Sequence, residues 1–339
     1  MASHHATKPD PELAPLMESL PNPPLTYSAA LEASRQQYKM IFIEISRGHQ
    51  RLHLPSDASY VTEDHNIPVE EGDIAVRCYR PVANEEDTFP LLFWTHGGGW
   101  LFGDLDSDDY YLKYLAVSLR IVIVNVDYRL APEYPFPAGL NDCYTALRWS
   151  VYNSRRIRAD LSKGFIVAGQ SVGANFTAVL SHRAKEDHIF TQHPITGQAL
   201  QMPVTVHPDA VPEELKDKMT AFEQNAKTGS ILLSSHMRDY YDMLQAPPAD
   251  PELSPLLQPS FRGLPPAYVQ VCGLDPVRDD GIAYTEKLKA AGVPTMCDVY
   301  PGAPHCFQLV FPDTNIAKKL DEDLLKGIRW LLARAPMTQ

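Results

Sequence analysis

The sequence predicts an α/β fold: a largely parallel central sheet with helices on both faces. Three observations carry that expectation. From about residue 73, short β-branched runs alternate with helix-length segments, the order in which strands and crossover helices build parallel sheets. The last such segment repeats Leu320, Leu324, Leu325, Ile328, Leu331 and Leu332 at three- and four-residue spacing, the mark of one buried helix face. The chain has 339 residues, 44% of them hydrophobic and 21% charged, which suffices for one large core or two small ones.

In chain order, the first predicted strand is DIAVRCYRP (73–81), followed by LLFWTH (91–96). A helix follows over SDDYYLKYLAVSLR (107–120), then the strand IVIVNVDYR (121–129) and the helix AGLNDCYTALRWSVYN (138–153). GFIVAGQ (164–170) is the next strand and ANFTAVLSHRAKE (174–186) its helix. The series closes with strand AYVQVCG (267–273), helix RDDGIAYTEKLKAAG (278–292), strand TMCDVYPG (295–302) and helix IAKKLDEDLLKGIRWLLAR (316–334). Two regions break the alternation. Residues 1–50 are Pro-rich and then helical, and residues 201–255 are polar, Pro-interrupted and helical in patches. Neither carries a core of its own. They are expected to sit together as a cap arm and a cap insertion over the carboxyl ends of the strands, where open α/β sheets keep ligands. The catalytic core is then 51–200 with 256–339.

Charge and cysteine content narrow the function. A formal net charge of −12 would repel a phosphate backbone or an anionic membrane, so nucleic acid is not an expected partner. The five cysteines, Cys78, Cys143, Cys272, Cys297 and Cys306, include no C-x-x-C pair and read as reduced, small apolar residues rather than a disulfide framework or a zinc site. His4 and His5 are too few for a metal site. The N-terminal stretch lacks the apolar run of a secretory signal, and no segment reaches the roughly 20 apolar residues of a membrane helix, so a cytoplasmic location without membrane insertion is expected.

The chemistry concentrates in three loops. VAGQSVGAN (167–175) carries a Gly-x-Ser-x-Gly string that would arise by chance in roughly one chain in ten of this length. Here it follows an apolar strand and opens a helix, the strand-turn-helix setting of a nucleophile elbow. Taken alone, Ser171 fits either a nucleophile or the apex of a tight turn. HGGGW (96–100), directly after a strand, lacks the lysine and spacing of a phosphate loop and suits the alternative use of exposed N–H groups, an oxyanion hole. A serine nucleophile needs a base and an acid, which follow it in this architecture in the order Ser, Asp or Glu, His. Only His305 lies beyond residue 236, in the loop YPGAPHCF; His182, His188, His193 and His207 sit in or near the helix after the elbow, where a packed or solvated histidine is ordinary. Asp275 closely follows the strand AYVQVCG at the same sheet edge as the serine. Asp279 and Asp280 are expected to serve the dipole of their own helix, and Asp298, within a strand, to be structural.

Together, HGGGW, DYRLAPEYPFPAGLNDC (127–143), GQSVGAN, residues 263–293 and YPGAPHCF resemble the hormone-sensitive-lipase-like esterases, the HGGG branch of the α/β-hydrolase fold, over about residues 60–335. The resemblance implies Ser171 as nucleophile, Asp275 as acid and His305 as base, with the N–H groups of Gly98, Gly99 and Val172 as oxyanion donors. It gives His96, Gly97, Trp100 and Glu133 a supporting role around that loop. It implies a carboxylesterase for short- to medium-chain acyl esters, without cofactor or metal. Homodimerisation is common in the family, and the edge strand TMCDVY and the last helix are the candidate surfaces.

This chain departs from the usual family elbow Gly-Asp-Ser-Ala-Gly-Gly-Asn at Gln170, Val172 and Ala174, and Cys306 stands where a glycine commonly follows the histidine. Gln170 removes a charge beside the serine, the branched Val172 would narrow the space near the acyl group, and Cys306 would crowd the His305 loop. Val172, Cys306 and the altered cap favour a second reading: a specialised biosynthetic enzyme that releases, transfers or lactonises an acyl group, or eliminates a leaving group in the manner of dehydratase-like relatives. A non-catalytic receptor on this fold is expected to lack the histidine, and His305 is present; an interaction protein on a retired scaffold is disfavoured by the same intact set. Met202, Met219, Tyr240, Tyr241, Met243 and Leu244 are candidates for pocket lining, although such residues more often pack inside the cap.

Overall fold

The computed structural model describes residues 8–20, 31–45, 54–226 and 231–335. Its centre is an eight-stranded sheet: β1 (Tyr60–Val69), β2 (Gly72–Pro81), β3 (Leu91–Thr95), β4 (Val122–Asp127), β5 (Phe165–Gln170), β6 (Gly197–Gln201), β7 (Ala267–Cys272) and β8 (Thr295–Tyr300). The strands lie in the order β1-β2-β4-β3-β5-β6-β7-β8. β2 pairs antiparallel with β1 and β4, and every other neighbouring pair is parallel.

The central strands β3, β4 and β5 are mostly apolar because both of their faces are covered, and their polar Thr95, Asn125 and Gln170 are buried with the rest. Side chains alternate between faces along a strand, so Leu91 and Phe93, Val122 and Val124, and Phe165 and Val167 pack on one side with helices Ala138–Tyr152 and Val172–Glu186. Leu92 and Trp94, Ile123, and Ile166 and Ala168 pack on the other with helices Asp109–Leu119 and Asn315–Leu332. Full burial of one such aliphatic or aromatic side chain contributes roughly 1.5–3 kcal/mol. The last helix buries Leu320, Leu324, Leu325, Ile328 and Leu331, as its leucine spacing predicts, and Thr314 caps it by accepting from the Ala317 amide.

Two strands carry no sequence signal of the kind used above. β1 is a charged edge strand whose only buried residue is Ile67. β6 is wholly buried but reads GQALQ; the side-chain amide of Gln198 donates to the Pro265 carbonyl and that of Gln201 to Gln270 Oε1. Because Gln201 pairs with β7 in the sheet, the segment outside it begins at about residue 202. That segment includes the helix Ser234–Leu244. On the N-terminal side, the helix Leu31–Tyr38 continues as a π-helical stretch, Lys39–Ile45. Asp279 and Asp280, in the first turn of helix Arg278–Ala290, do more than the expected service to their own helix. The Asp280 carboxylate accepts from the amides of Thr205 and Val206, and that of Asp279 from Thr220 and Ala221, tying the 202–226 stretch to the sheet domain. Among the described residues, no helix is long and apolar enough to cross a membrane.

Candidate active site

Because β3, β5, β7 and β8 run parallel, the loops leaving them gather at one edge of the sheet. There the structure brings three of the predicted residues into one hydrogen-bonded line. Ser171 Oγ lies 2.8 Å from His305 Nε2, and His305 Nδ1 lies 2.5 Å from Asp275 Oδ2. Asp275 is fully buried, and its other oxygen accepts from the Val277 amide at 2.9 Å, which fixes the carboxylate plane. An imidazole held between a carboxylate and a hydroxyl carries its proton on Nδ1 and presents a free lone pair on Nε2 to the serine.

The turn that presents Ser171 is strained. Its φ of 58° and ψ of −120° lie where L-residues rarely settle. The turn is possible because the following helix approaches β3 closely at Gly173, where a Cβ would stand 2.0 Å from the Thr95 carbonyl oxygen. The helix Val172–Glu186 begins at the serine, so its positive dipole end and the unsatisfied N–H of Val172 face the site.

The HGGGW loop passes over the serine from β3. Gly98 has φ 120°, and a Cβ there would stand 2.1 Å from the Phe102 carbonyl oxygen, so the loop closes only around glycine. The Gly98 carbonyl accepts from the Leu101 and Phe102 amides, which turns the loop back on itself. Among the described residues, the N–H groups of Gly98, Gly99 and Val172 have no protein acceptor. His96 is buried behind the loop: its Nδ1 donates to the Gly97 carbonyl at 2.7 Å, and its ring stacks on Tyr128 at 4.2 Å. Burial pushes its pKa down to about 4, so it is a neutral strut. Trp100 is buried, contacts the Tyr241 ring and accepts the Ala131 amide on its carbonyl. Glu133 reaches the loop indirectly. It forms a two-pronged ion pair with Arg35, whose guanidinium also donates to the carbonyls of Leu101 and Ala131, and that pairing lowers the Glu133 pKa.

Over Ser171 lies a cavity of about 60 Å³. Tyr38 and Phe42 close it from the N-terminal side, Ile231, Met237 and Tyr240 from the 202–255 segment, and Leu309 from beyond the histidine. Of the six residues proposed as lining or packing, Tyr240 alone belongs to this cavity. Met202 and Leu244 are in the core, Tyr241 packs on Trp100 and His207, and Met219 and Met243 pack against other clusters.

The expectation for Val172 is corrected: its side chain is fully buried in the core and does not reach the cavity, because the helix turns it toward the sheet. Cys306 does line the cavity, in a left-handed conformation with φ 50°. Arg35, Gln308 and Leu309 belong to no motif; their partners lie far away in sequence, and nothing local marks them. His182 pairs with Tyr284, and Asp298 accepts from Tyr268, both away from the serine. Among the described residues, no group of three or more His, Cys, Asp or Glu side chains could hold a metal ion.

Comparison with known proteins identifies the fold and the family. A family model described as the alpha/beta hydrolase fold matches residues 92–309. The AB hydrolase superfamily protein B1A11.02 of Schizosaccharomyces pombe is 34% identical, over 96% of this chain and 95% of its own length. The versiconal hemiacetal acetate esterase of Dothistroma septosporum is 35% identical, over 79% of this chain and 82% of its own. Among solved structures, a vibralactone cyclase superposes with a TM-score of 0.94 at 37% identity, covering 98% of this chain and 97% of that one.

Proposed function

This chain belongs to the α/β-hydrolase family, in its hormone-sensitive-lipase-like branch, and we propose that Ser171, His305 and Asp275 are the catalytic triad of its carboxylesterase-type chemistry. One observation carries the assignment: the unbroken line from Ser171 Oγ through His305 to Asp275. In this mechanism His305 Nε2 takes the Ser171 proton as Oγ attacks the ester carbonyl, and Asp275 holds the imidazole and steadies its charge. The oxyanion settles among the amides of Gly98, Gly99 and Val172, which are already oriented and cost no reorganisation. His305 then protonates the departing alcohol, and water repeats the sequence on the acyl-enzyme.

The N-terminal arm within residues 1–50 and the insertion within 201–255 act as the cap in this reading, supported by the side chains both contribute to the cavity. Residues 51–200 and 256–339 are the catalytic core. Five unpaired cysteines support a reducing, cytoplasmic setting.

A second reading has one observation in its favour, the close structural likeness to a vibralactone cyclase. The same acyl-enzyme could be attacked by a hydroxyl of its own acyl group instead of by water, giving a lactone. A p-nitrophenyl ester series from acetate to dodecanoate, run beside Ser171→Ala and His305→Ala, tests the assignment. Both variants should lose several powers of ten in kcat. Wild-type turnover by Ser171→Ala, in protein free of host esterases, would end the proposal; lactone rather than acid from ω-hydroxyacyl esters would select the second reading.

A further inference from the structure

Two cavities meet at the side chains of Gln170 and Leu309. The one over Ser171 measures about 60 Å³, and the second, on the far side of these residues, about 350 Å³. We propose that the larger cavity is the chamber for the alcohol portion of the ester, that the Gln170–Gln308 amide pair is its gate, and that its occupant is an aromatic alcohol carrying hydrogen-bond donors. The proposal rests on Ser171 being the nucleophile.

Position comes first. Gln170 immediately precedes Ser171, while Gln308 and Leu309 follow His305 by three and four residues in the short helix Phe307–Val310. The histidine must hand its proton to the departing alkoxide, so the alcohol leaves on the histidine side. Gln170 and Leu309 line both cavities, and Gln308, which lines the larger one, donates its Nε2 to Gln170 Oε1 at 2.8 Å. A space of 60 Å³ accommodates a short acyl group and little else, whereas parting the amide pair adds the larger volume.

Chemistry comes second. Gln308 is 7% exposed, and its Oε1 has no hydrogen-bond partner among the described residues. A buried acceptor left unpaired is unfavourable, and a ligand hydroxyl donating to it removes the penalty. The same cavity is lined by Tyr110, Tyr111 and Tyr114, aromatic side chains that suit an aromatic guest. Carboxylates outnumber the one lysine: Asp313, Asp321 and Glu322 against Lys318. That balance disfavours an acid and suits a guest that donates hydrogen bonds. A polyhydroxylated aromatic alcohol meets all three conditions.

The test compares kcat/KM for phenyl, 2-naphthyl and 6-hydroxy-2-naphthyl acetate in the wild type, Gln308→Leu and Tyr114→Trp. The acyl group is constant, so only the alcohol side is probed. In the wild type, the hydroxynaphthyl ester should exceed the naphthyl ester by about tenfold, the net worth of one additional hydrogen bond to a buried acceptor. Gln308→Leu should erase that preference while retaining the preference for naphthyl over phenyl. Tyr114→Trp, which fills the chamber, should lower both bulky esters relative to phenyl acetate. Equal rates for the three acetates in the wild type, or ratios unchanged in Gln308→Leu, would overturn the chamber; the leucine variant decides alone if the tryptophan variant does not fold. Loss of phenyl acetate turnover in Ser171→Ala reports separately on the nucleophile, so the two readings fail independently.

Discussion

Replacing Arg35 by alanine should damage catalysis from a helix that never touches the substrate carbonyl. Its guanidinium makes four bonds: to the Leu101 carbonyl at 3.0 Å, to the Ala131 carbonyl at 3.1 Å, and two of 2.8 Å to Glu133. The Leu101 carbonyl is at the end of the Gly98 turn, and Ala131 donates to Trp100, so one cation fastens both strands of the glycine loop's support. The side chains of Arg35 and Glu133 are 24% and 52% exposed, so solvent screening leaves the ion pair about 0.5 kcal/mol. The two bonds to carbonyls add about 1 kcal/mol each. The sum of about 2.5 kcal/mol should lower Tm by about 3–4 °C in a chain of this size. Displacing the Gly98 and Gly99 donors by a few tenths of an ångström should lower kcat by about tenfold or more. Glu133→Ala removes only the ion pair and should shift Tm by about 1 °C with kcat within about twofold. Thermal melts and steady-state kinetics on one short-chain ester measure both. Equal effects of the two substitutions, or an Arg35→Ala enzyme with unchanged kcat, would refute the reasoning that the carbonyl bonds position the loop.

Two further outcomes follow from the same geometry. Gly173→Ala should yield no folded protein by circular dichroism, since its Cβ would meet the backbone oxygens of Thr95 and His96 at 2.0 and 2.5 Å, whereas Gly263→Ala, with open space around it, should cost only about 1 kcal/mol for its φ of 75°; similar melts for the two would contradict this. Asp280 is held up to about 8 by burial, so the native state keeps a proton that the unfolded chain releases near the ordinary carboxyl value of 3.8. Its contribution to stability is complete below that ordinary value and is lost as pH rises through about 8. Asp280→Asn keeps an oxygen for the Thr205 and Val206 amides and removes the titration. The variant should gain Tm relative to wild type between pH 5 and 8.5, and parallel Tm–pH curves would sink the idea.

The parts of the fold legible in the sequence are those whose burial is written into residue type. β3, β4 and β5 are runs of large apolar residues because both faces are covered, and the last helix shows its single buried face in its leucines. β1 and β6 were invisible for opposite reasons. β1 is an edge whose side chains meet solvent, and β6 is interior but carries glutamines whose amide N–H groups donate to other buried groups. At the site, Ser171, His305 and Asp275 were legible because their loops follow recognisable strands. The cavity walls were not: Tyr38, Ile231 and Leu309 meet only through tertiary packing. The helix Ser234–Leu244 shows the difficulty within four residues. Tyr240 faces the cavity while its neighbour Tyr241 turns away to Trp100, and nothing in residue type separates the two as candidates; Met237, which also faces the cavity, was not among the candidates.

Three residues other than glycine bend against their preference around this site: Trp100 at φ 62°, Ser171 at 58° and Cys306 at 50°. Each follows or occupies a position in one of the three reactive loops, directly after Gly99, at the serine itself and directly after His305. A left-handed residue with a side chain costs roughly 1–2 kcal/mol, so none would persist without compensation nearby. Trp100 is compensated by full burial against Tyr241, and Cys306 by burial beside Cys272, Tyr300 and Phe307. Ser171 has less side chain to bury; its backbone is held by the Gln201 carbonyl on one side and the Asn175 amide on the other. Cys306 thereby explains its own oddity. The position demands the conformation that glycine adopts freely, and this chain meets the demand with a buried thiol that also forms a wall of the catalytic cavity. The substitution therefore adds shape to the site where glycine would leave space, and the shape is bought with backbone strain offset by the packing behind it.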